Sequence, residues 1–149
     1  MYENLKKKFG QNFLIDKNIL LKIINLIDLN NLNILEIGPG NGKLTDHIIF
    51  KKPKRLTLVE IDTRLAEDLL IKYSKFNYVK VVRANILDLD LKGNYQLVIS
   101  NLPYNISSQI IVKLALLNKS PEKLILMFQK EFAQRLLDKK INSINSLIR

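Results

Sequence analysis

The chain has 149 residues and no cysteine, and its 24 Lys and Arg against 14 Asp and Glu give a formal charge of +10. That length suits one domain with a core of its own, since roughly 68–70% of the unfolded surface is buried at this size. A disulfide scaffold, a thiolate zinc site and thiol catalysis are excluded; no apolar run reaches the roughly 18 residues of a membrane span, and the first eight residues lack a signal-peptide core, so a cytoplasmic protein is expected.

Along the chain, short buried runs alternate with helical stripes. Asp16 is placed to cap a helix whose stripe is Ile19, Leu20, Ile23, Ile24 and Ile27. Asn33–Ile37 is a buried run ending in glycines, and Lys43–Phe50 resumes a helical pattern. Leu56–Ile61 is a second buried run, followed by a stripe of Leu65, Leu69 and Leu70. Tyr78–Val82 predicts a third strand and Gln96–Ser100 a fourth, after which Ile106, Ile110, Ile111 and Leu114 form another stripe. Leu124–Phe128 is a fifth run, and Phe132, Leu136 and Leu137 mark a last helix. Strands apolar on both faces and alternating with helices imply an α/β fold with right-handed crossovers and a parallel sheet. No repeat or linker interrupts the pattern, and Asp138–Arg149 reads as a polar tail.

Two turns carry chemistry. The first is Glu36-Ile37-Gly38-Pro39-Gly40-Asn41-Gly42, between a strand and a helix. Glycines there let the backbone turn tightly and approach a ligand beyond the carboxyl ends of the strands. The spacing is G-x-G-x-G with Lys43 next, so the G-x-G-x-x-G pyrophosphate fingerprint fails at its third glycine while other nucleoside cofactors stay open. Glu60 ends the second strand and can accept both hydroxyls of a ribose. The plain alternative is an ordinary turn with a solvent-facing Glu60.

The second turn is Asn101-Leu102-Pro103-Tyr104, after the fourth strand and so on the same crevice. Pro103 fixes its own φ and drives Leu102 out of the helical region, leaving the Leu102 carbonyl free to accept from a ligand. The Asn101 amide offers a second acceptor and Tyr104 a stacking face, a set that suits the exocyclic amine of a flat base. Accepting both N–H hydrogens localises a lone pair otherwise conjugated with the ring, and no general base is needed. The alternative is a Pro-Tyr turn packed on the core.

Through these residues the chain resembles the ribosomal RNA adenine N6-dimethyltransferases of the small-subunit, kasugamycin-resistance type. The match includes Phe9–Leu14, Glu36–Thr45, Val59–Asp62, Asn101–Ser107 and Gln129–Ala133, over nearly all of residues 6–137. The macrolide-resistance methylases of large-subunit RNA share the layout; Leu102 and Asn105-Ile106-Ser107 look more like the small-subunit type. The resemblance implies a Rossmann-like class I methyltransferase sheet and S-adenosylmethionine as cofactor. Asn12 and Leu14 match contacts that close over its methionine part, Gly38 the glycine-turn contact (with Gly40 beside it), and Glu60 the ribose acid. Asn101 matches the residue between cofactor and target amine, with Tyr104 as stacking platform. One position departs: where the family usually has Asp to accept from the cofactor's adenine amine, Asn85 stands, and a charge-assisted bond is lost.

Family members continue past this point with the rest of the sheet and a helical RNA-binding domain. Residues 1–149 are therefore expected to be a methyltransferase domain truncated before that part, with the fifth strand as an apolar edge. The implied partner is small-subunit ribosomal RNA, with no membrane, no metal and a monomeric state expected. A truncated remnant that binds cofactor or ribosome without catalysis, and a nicotinamide-dependent oxidoreductase, compete with this reading; the second leaves Asn101–Tyr104 unexplained. Charge adds little. Lys, Asn and Ile supply 19, 16 and 20 residues against 5 Arg, a skew that an A/T-rich coding sequence would give anywhere. Lys6–Lys8 could touch phosphate or be a solvated arm. Lys51, Lys52, Lys54 and Arg55 read as solvated surface, and His47, the single histidine, as structural. Glu36 could hold either the turn or the cofactor.

Overall fold

A computed structural model describes residues 16–102 and 104–137. Helix α1 (Lys17–Ile24) starts where Asp16, in extended backbone, accepts from the N–H groups of Asn18 at 2.8 Å and Ile19 at 3.4 Å. Then follow β1 (Asn33–Ile37), α2 (Lys43–Phe50), β2 (Arg55–Glu60), α3 (Thr63–Lys72), β3 (Val79–Arg83) and β4 (Leu97–Asn101). A single 3₁₀ turn (Tyr104–Ile106) leads into α4 (Ser107–Ala115), β5 (Lys123–Met127) and α5 (Lys130–Leu137). Asp62 caps α3 as Asp16 caps α1, accepting from Arg64 at 2.9 Å and Leu65 at 3.1 Å.

The five strands pair in parallel in the order β3-β2-β1-β4-β5. Strand side chains alternate between faces, so the sheet carries two cores. Ile34, Leu56, Leu58, Leu97 and Ile99 share one cluster with Leu20, Ile23, Ile48 and Leu69 from α1, α2 and α3. Leu35, Ile37, Val59 and Val98 share the other with Ile86, Leu91, Leu102, Ile110 and Leu114. The switch point where the strand order reverses lies between β1 and β4, the expected place for a crevice.

Some details differ from the sequence reading. Ile19 is 41% exposed and Leu70 is 53% exposed. Along α3 and its C-cap the buried line runs Ala66, Leu69 and Tyr73, a helical spacing that leaves Leu70 on the outer side. Ile27 lies beyond the end of α1, although it still packs against the first cluster. β4 extends through Asn101, which pairs with Met127, so Asn101 closes the strand instead of opening the turn. β5 lies at the sheet edge among the described residues, with Leu124 46% exposed. None of the described helices is long and apolar enough to cross a membrane.

Candidate active site

The glycine turn joins β1 to α2 with Gly38, Gly40 and Gly42 at φ 64°, 59° and 78°. These left-handed values are what a side chain would resist. The Gly38 N–H donates to the Val59 carbonyl at 2.9 Å, which fixes the start of the turn to the end of β2. A Cβ built on Gly38 would meet nothing within 4 Å, so the backbone borders open space there.

Two buried carboxylates stand behind this turn. Glu60, 2% exposed, does not face solvent. Its Oε2 accepts the Gly40 N–H at 3.0 Å and its Oε1 accepts the Asp62 N–H at 3.0 Å, so it bridges the glycine turn and the cap of α3. Burial pushes its pKa up, and the backbone N–H bonds pull the other way. Glu36, 1% exposed, accepts from the Thr45 hydroxyl at 2.8 Å. Burial raises its pKa to about 8; the Thr45 bond opposes this and the charges of Asp46 and Glu60 add to it. Glu36 thus ties β1 to α2, and at neutral pH its carboxyl is mostly protonated.

The remaining strand ends close the crevice. The Ala84 N–H donates to the Glu60 carbonyl at 3.0 Å, which brings Asn85 to the end of β3 beside Glu60. The Asn85 side chain caps its own loop: Oδ1 accepts the Leu87 N–H at 3.0 Å and Nδ2 donates to Asp88 Oδ2 at 2.9 Å. The Ser100 hydroxyl donates to the Ile37 carbonyl and so ties β4 to the root of the glycine turn. Asn101 is half-buried, and the Leu102 side chain is 2% exposed within the second cluster. Gly38, Gly40, Glu60, Asn85, Asn101 and Leu102 therefore gather at the carboxyl ends of β1 to β4. Tyr104 opens the 3₁₀ turn, but its side chain lies outside the described residues, as do Asn12, Leu14 and Pro103. Sequence reasoning missed Thr45 and Asp88, which act by contact with Glu36 and Asn85.

Comparison with known proteins decides the family. Residues 2–148 match the family model described as ribosomal RNA adenine dimethylase. The chain belongs to that family. It is 42% identical over 149 residues to "Ribosomal RNA small subunit methyltransferase A" of Pelagibacter ubique, covering 96% of this chain and 56% of that protein. Among solved structures it resembles a dimethyladenosine transferase from Plasmodium falciparum, with a TM-score of 0.77 and 30% identity over 86% of this chain and 47% of the other. It likewise resembles the 23S rRNA methyltransferase ErmE, with a TM-score of 0.73 and 30% identity over 83% of this chain and 50% of the other. The chain thus spans about half the length of the relatives it matches. The sheet is the Rossmann-like sheet of class I methyltransferases, and the cofactor of this family is S-adenosylmethionine.

The residues present fit that cofactor. Gly38 leaves room for a ligand against the backbone. Glu60 accepts backbone N–H groups on both oxygens, and the roughly four lone-pair sites of a carboxylate still leave capacity for a ribose hydroxyl. Among the described residues no group of three His, Cys, Asp or Glu side chains could hold a metal ion.

Proposed function

We propose that this chain is the methyltransferase half of an enzyme that dimethylates N6 of adenosines in small-subunit ribosomal RNA. The observation that carries the reading is the convergence of Gly38, Glu60, Asn85 and Asn101 on the ends of adjacent strands. Gly38, Gly40, Glu60 and Asn85 would hold S-adenosylmethionine, with Asn12 and Leu14 closing over it. When bound, S-adenosylmethionine supplies an electrophilic methyl group.

The chain's own part in the reaction is to hold and polarise the target amine. The Asn101 side-chain oxygen and the Leu102 carbonyl accept its two hydrogens, which favours a pyramidal nitrogen and localises the lone pair. Tyr104 stacks on the flipped base and offsets part of the few kcal/mol that unstacking costs. Pro103 keeps the Leu102 carbonyl out of helical pairing. The methylated nitrogen is acidic enough to lose its proton to water.

The small-subunit target is favoured by 42% identity, over 96% of this chain, to a small-subunit methyltransferase. Ribosomal RNA is then the partner and the cytoplasm the compartment. The test is transfer of labelled methyl groups from S-adenosylmethionine to undermethylated small subunits and, separately, to large-subunit RNA. Dimethyladenosine in the small subunit is the expected product. No transfer alongside measurable cofactor binding would favour a non-catalytic chain, and label in the large subunit alone would reassign the target.

A further inference from the structure

The glycine turn is held on its carbonyl side by a helix that contributes nothing to the motif. At the C-terminal end of α3, Lys72 Nζ donates to the Asn41 carbonyl at 3.3 Å and to Asp46 Oδ2 at 2.7 Å. The Tyr73 hydroxyl lies 2.8 Å from the Gly42 carbonyl and 2.8 Å from Asp46 Oδ1, so its one proton is shared between two acceptors. Tyr73 is 4% exposed, and burial together with the Asp46 carboxylate keeps the phenol protonated. The Gly42 carbonyl also accepts the Asp46 N–H at 2.9 Å, the first bond of α2. Gly42 caps that helix without a side chain. A methyl group built on Gly42 would overlap the Tyr73 hydroxyl and lie 3.1 Å from Leu69 Cδ2.

From this geometry we infer that Tyr73 and Lys72 are positioning residues for cofactor capture, acting through the Asn41 and Gly42 carbonyls to hold the glycine turn in its ligand-ready shape. The inference rests on the reading of that turn as the cofactor site. Three glycines within five residues, all at positive φ, make this the backbone with the most conformational freedom to lose. Glu60 fixes the turn at Gly40 from the β2 side. Lys72 and Tyr73 fix the next two residues from α3. With the turn already ordered, binding does not have to supply the ordering, which is how preorganisation raises affinity. The Tyr73 ring is part of the core whatever its hydroxyl does, packing 6.4 Å from Phe76 between centroids. The hydroxyl and the ring therefore have separable roles.

The test uses Tyr73→Phe, which keeps the ring, and Lys72→Met. S-adenosylmethionine affinity is measured by calorimetry, and amide hydrogen exchange is followed without cofactor. Tyr73→Phe should weaken binding about fivefold, the scale of one lost hydrogen bond. Exchange at the Gly42 and Asp46 amides should quicken about tenfold while the β1 and β2 amides keep their rates. Lys72→Met should act in the same direction, less strongly, because its ammonium is more exposed. Gly42→Ala combined with Tyr73→Phe should lose less affinity than the product of the single losses, since removing the hydroxyl relieves the overlap. Unchanged affinity in Tyr73→Phe, or exchange that quickens everywhere alike, would overturn the inference. If the parent chain fails to bind S-adenosylmethionine, the cofactor reading falls and takes this use of the clamp with it. Local exchange in Tyr73→Phe would still decide whether the clamp shapes the turn.

Discussion

On the β1–β2 side of the crevice the backbone is held by carboxylates, whereas on the β4 side it is held by packed side chains. Glu36 and Glu60 are both almost fully buried and both bind groups that set the glycine turn. Past β4 the buried residues among those described are Leu102, Ser107, Ile110 and Leu114, none of them an acid. The first side is preorganised by hydrogen bonds to buried carboxyl groups, so it should answer to pH. The second is preorganised by shape, so it should answer to volume and to the few polar groups that meet the target.

The largest test of that contrast is Glu36→Gln. Glu36 ionises near 8 in the fold against 4.5 for an unperturbed carboxyl. A raised carboxyl favours the protonated native state, so its contribution is complete below about pH 4.5 and is lost as pH rises through 8. Glu60, also raised, works in the same sense. Denaturant unfolding of the parent should show stability falling by several kcal/mol between pH 5 and 9. Glu36→Gln should remove most of that fall, since Gln keeps an acceptor for Thr45 without a charge. A parent whose stability is flat over this range would show that the buried acids do not set the pH response.

Next in size is Asn101→Ala, on the other side. Loss of one preorganised polar group at the reacting amine should lower the methyl-transfer rate on the order of 10²-fold, while calorimetric cofactor affinity stays within twofold. Equal losses in both would mean the two sides of the crevice are not separable. Glu60→Ala should do the reverse, weakening S-adenosylmethionine tenfold or more. The expected loss is roughly 1.5–3 kcal/mol, the worth of hydrogen bonds to a charged group. Unchanged affinity would remove Glu60 from the cofactor site.

The smallest expected effect lies at Asn85. Replacing it by Asp restores a carboxylate but sets it against Asp88, whose oxygen lies 2.9 Å from the present amide nitrogen. Asn85→Asp alone should tighten cofactor binding less than threefold, and Asn85→Asp with Asp88→Asn about tenfold, near 1.4 kcal/mol. A full gain from the single change would show that Asp88 swings clear.

How much of this was legible in the sequence follows from how local each cause is. β1 was read to its ends because an apolar run meets glycine directly, and Asp16 was readable as a cap because its partners lie two and three residues away. Leu70 misled because leucine on an α3 stripe looks like core, whereas Ala66, Leu69 and Tyr73 carry the burial. The place of Glu60 at a strand end was legible, but its bonds to Gly40 and Asp62 were not. The Tyr73 contact spans 31 residues to Gly42, and nothing in local spacing announces it. Asn85 was legible as a departure, while the direction in which its amide faces depends on its bonds to Asp88 and Leu87.

The strand order has a consequence for synthesis. β1 is central, yet its two neighbours arrive at very different times: β2 follows within one helix, while the β4 side is joined only when Gln96 reaches Asn33, 63 residues on. At ribosomal speeds of about 5–20 residues per second, that gap lasts roughly 3–13 s. During it β1, β2 and β3 can assemble with their helices, and with them the glycine turn, Glu60 and the Tyr73 contact. The other edge of β1 meanwhile presents, along Ile34 to Glu36, the N–H and carbonyl groups that β4 will pair. The nascent chain therefore passes through a stage in which half the crevice is finished and the middle of the future sheet is its most adhesive surface, open to any strand that reaches it before β4 does.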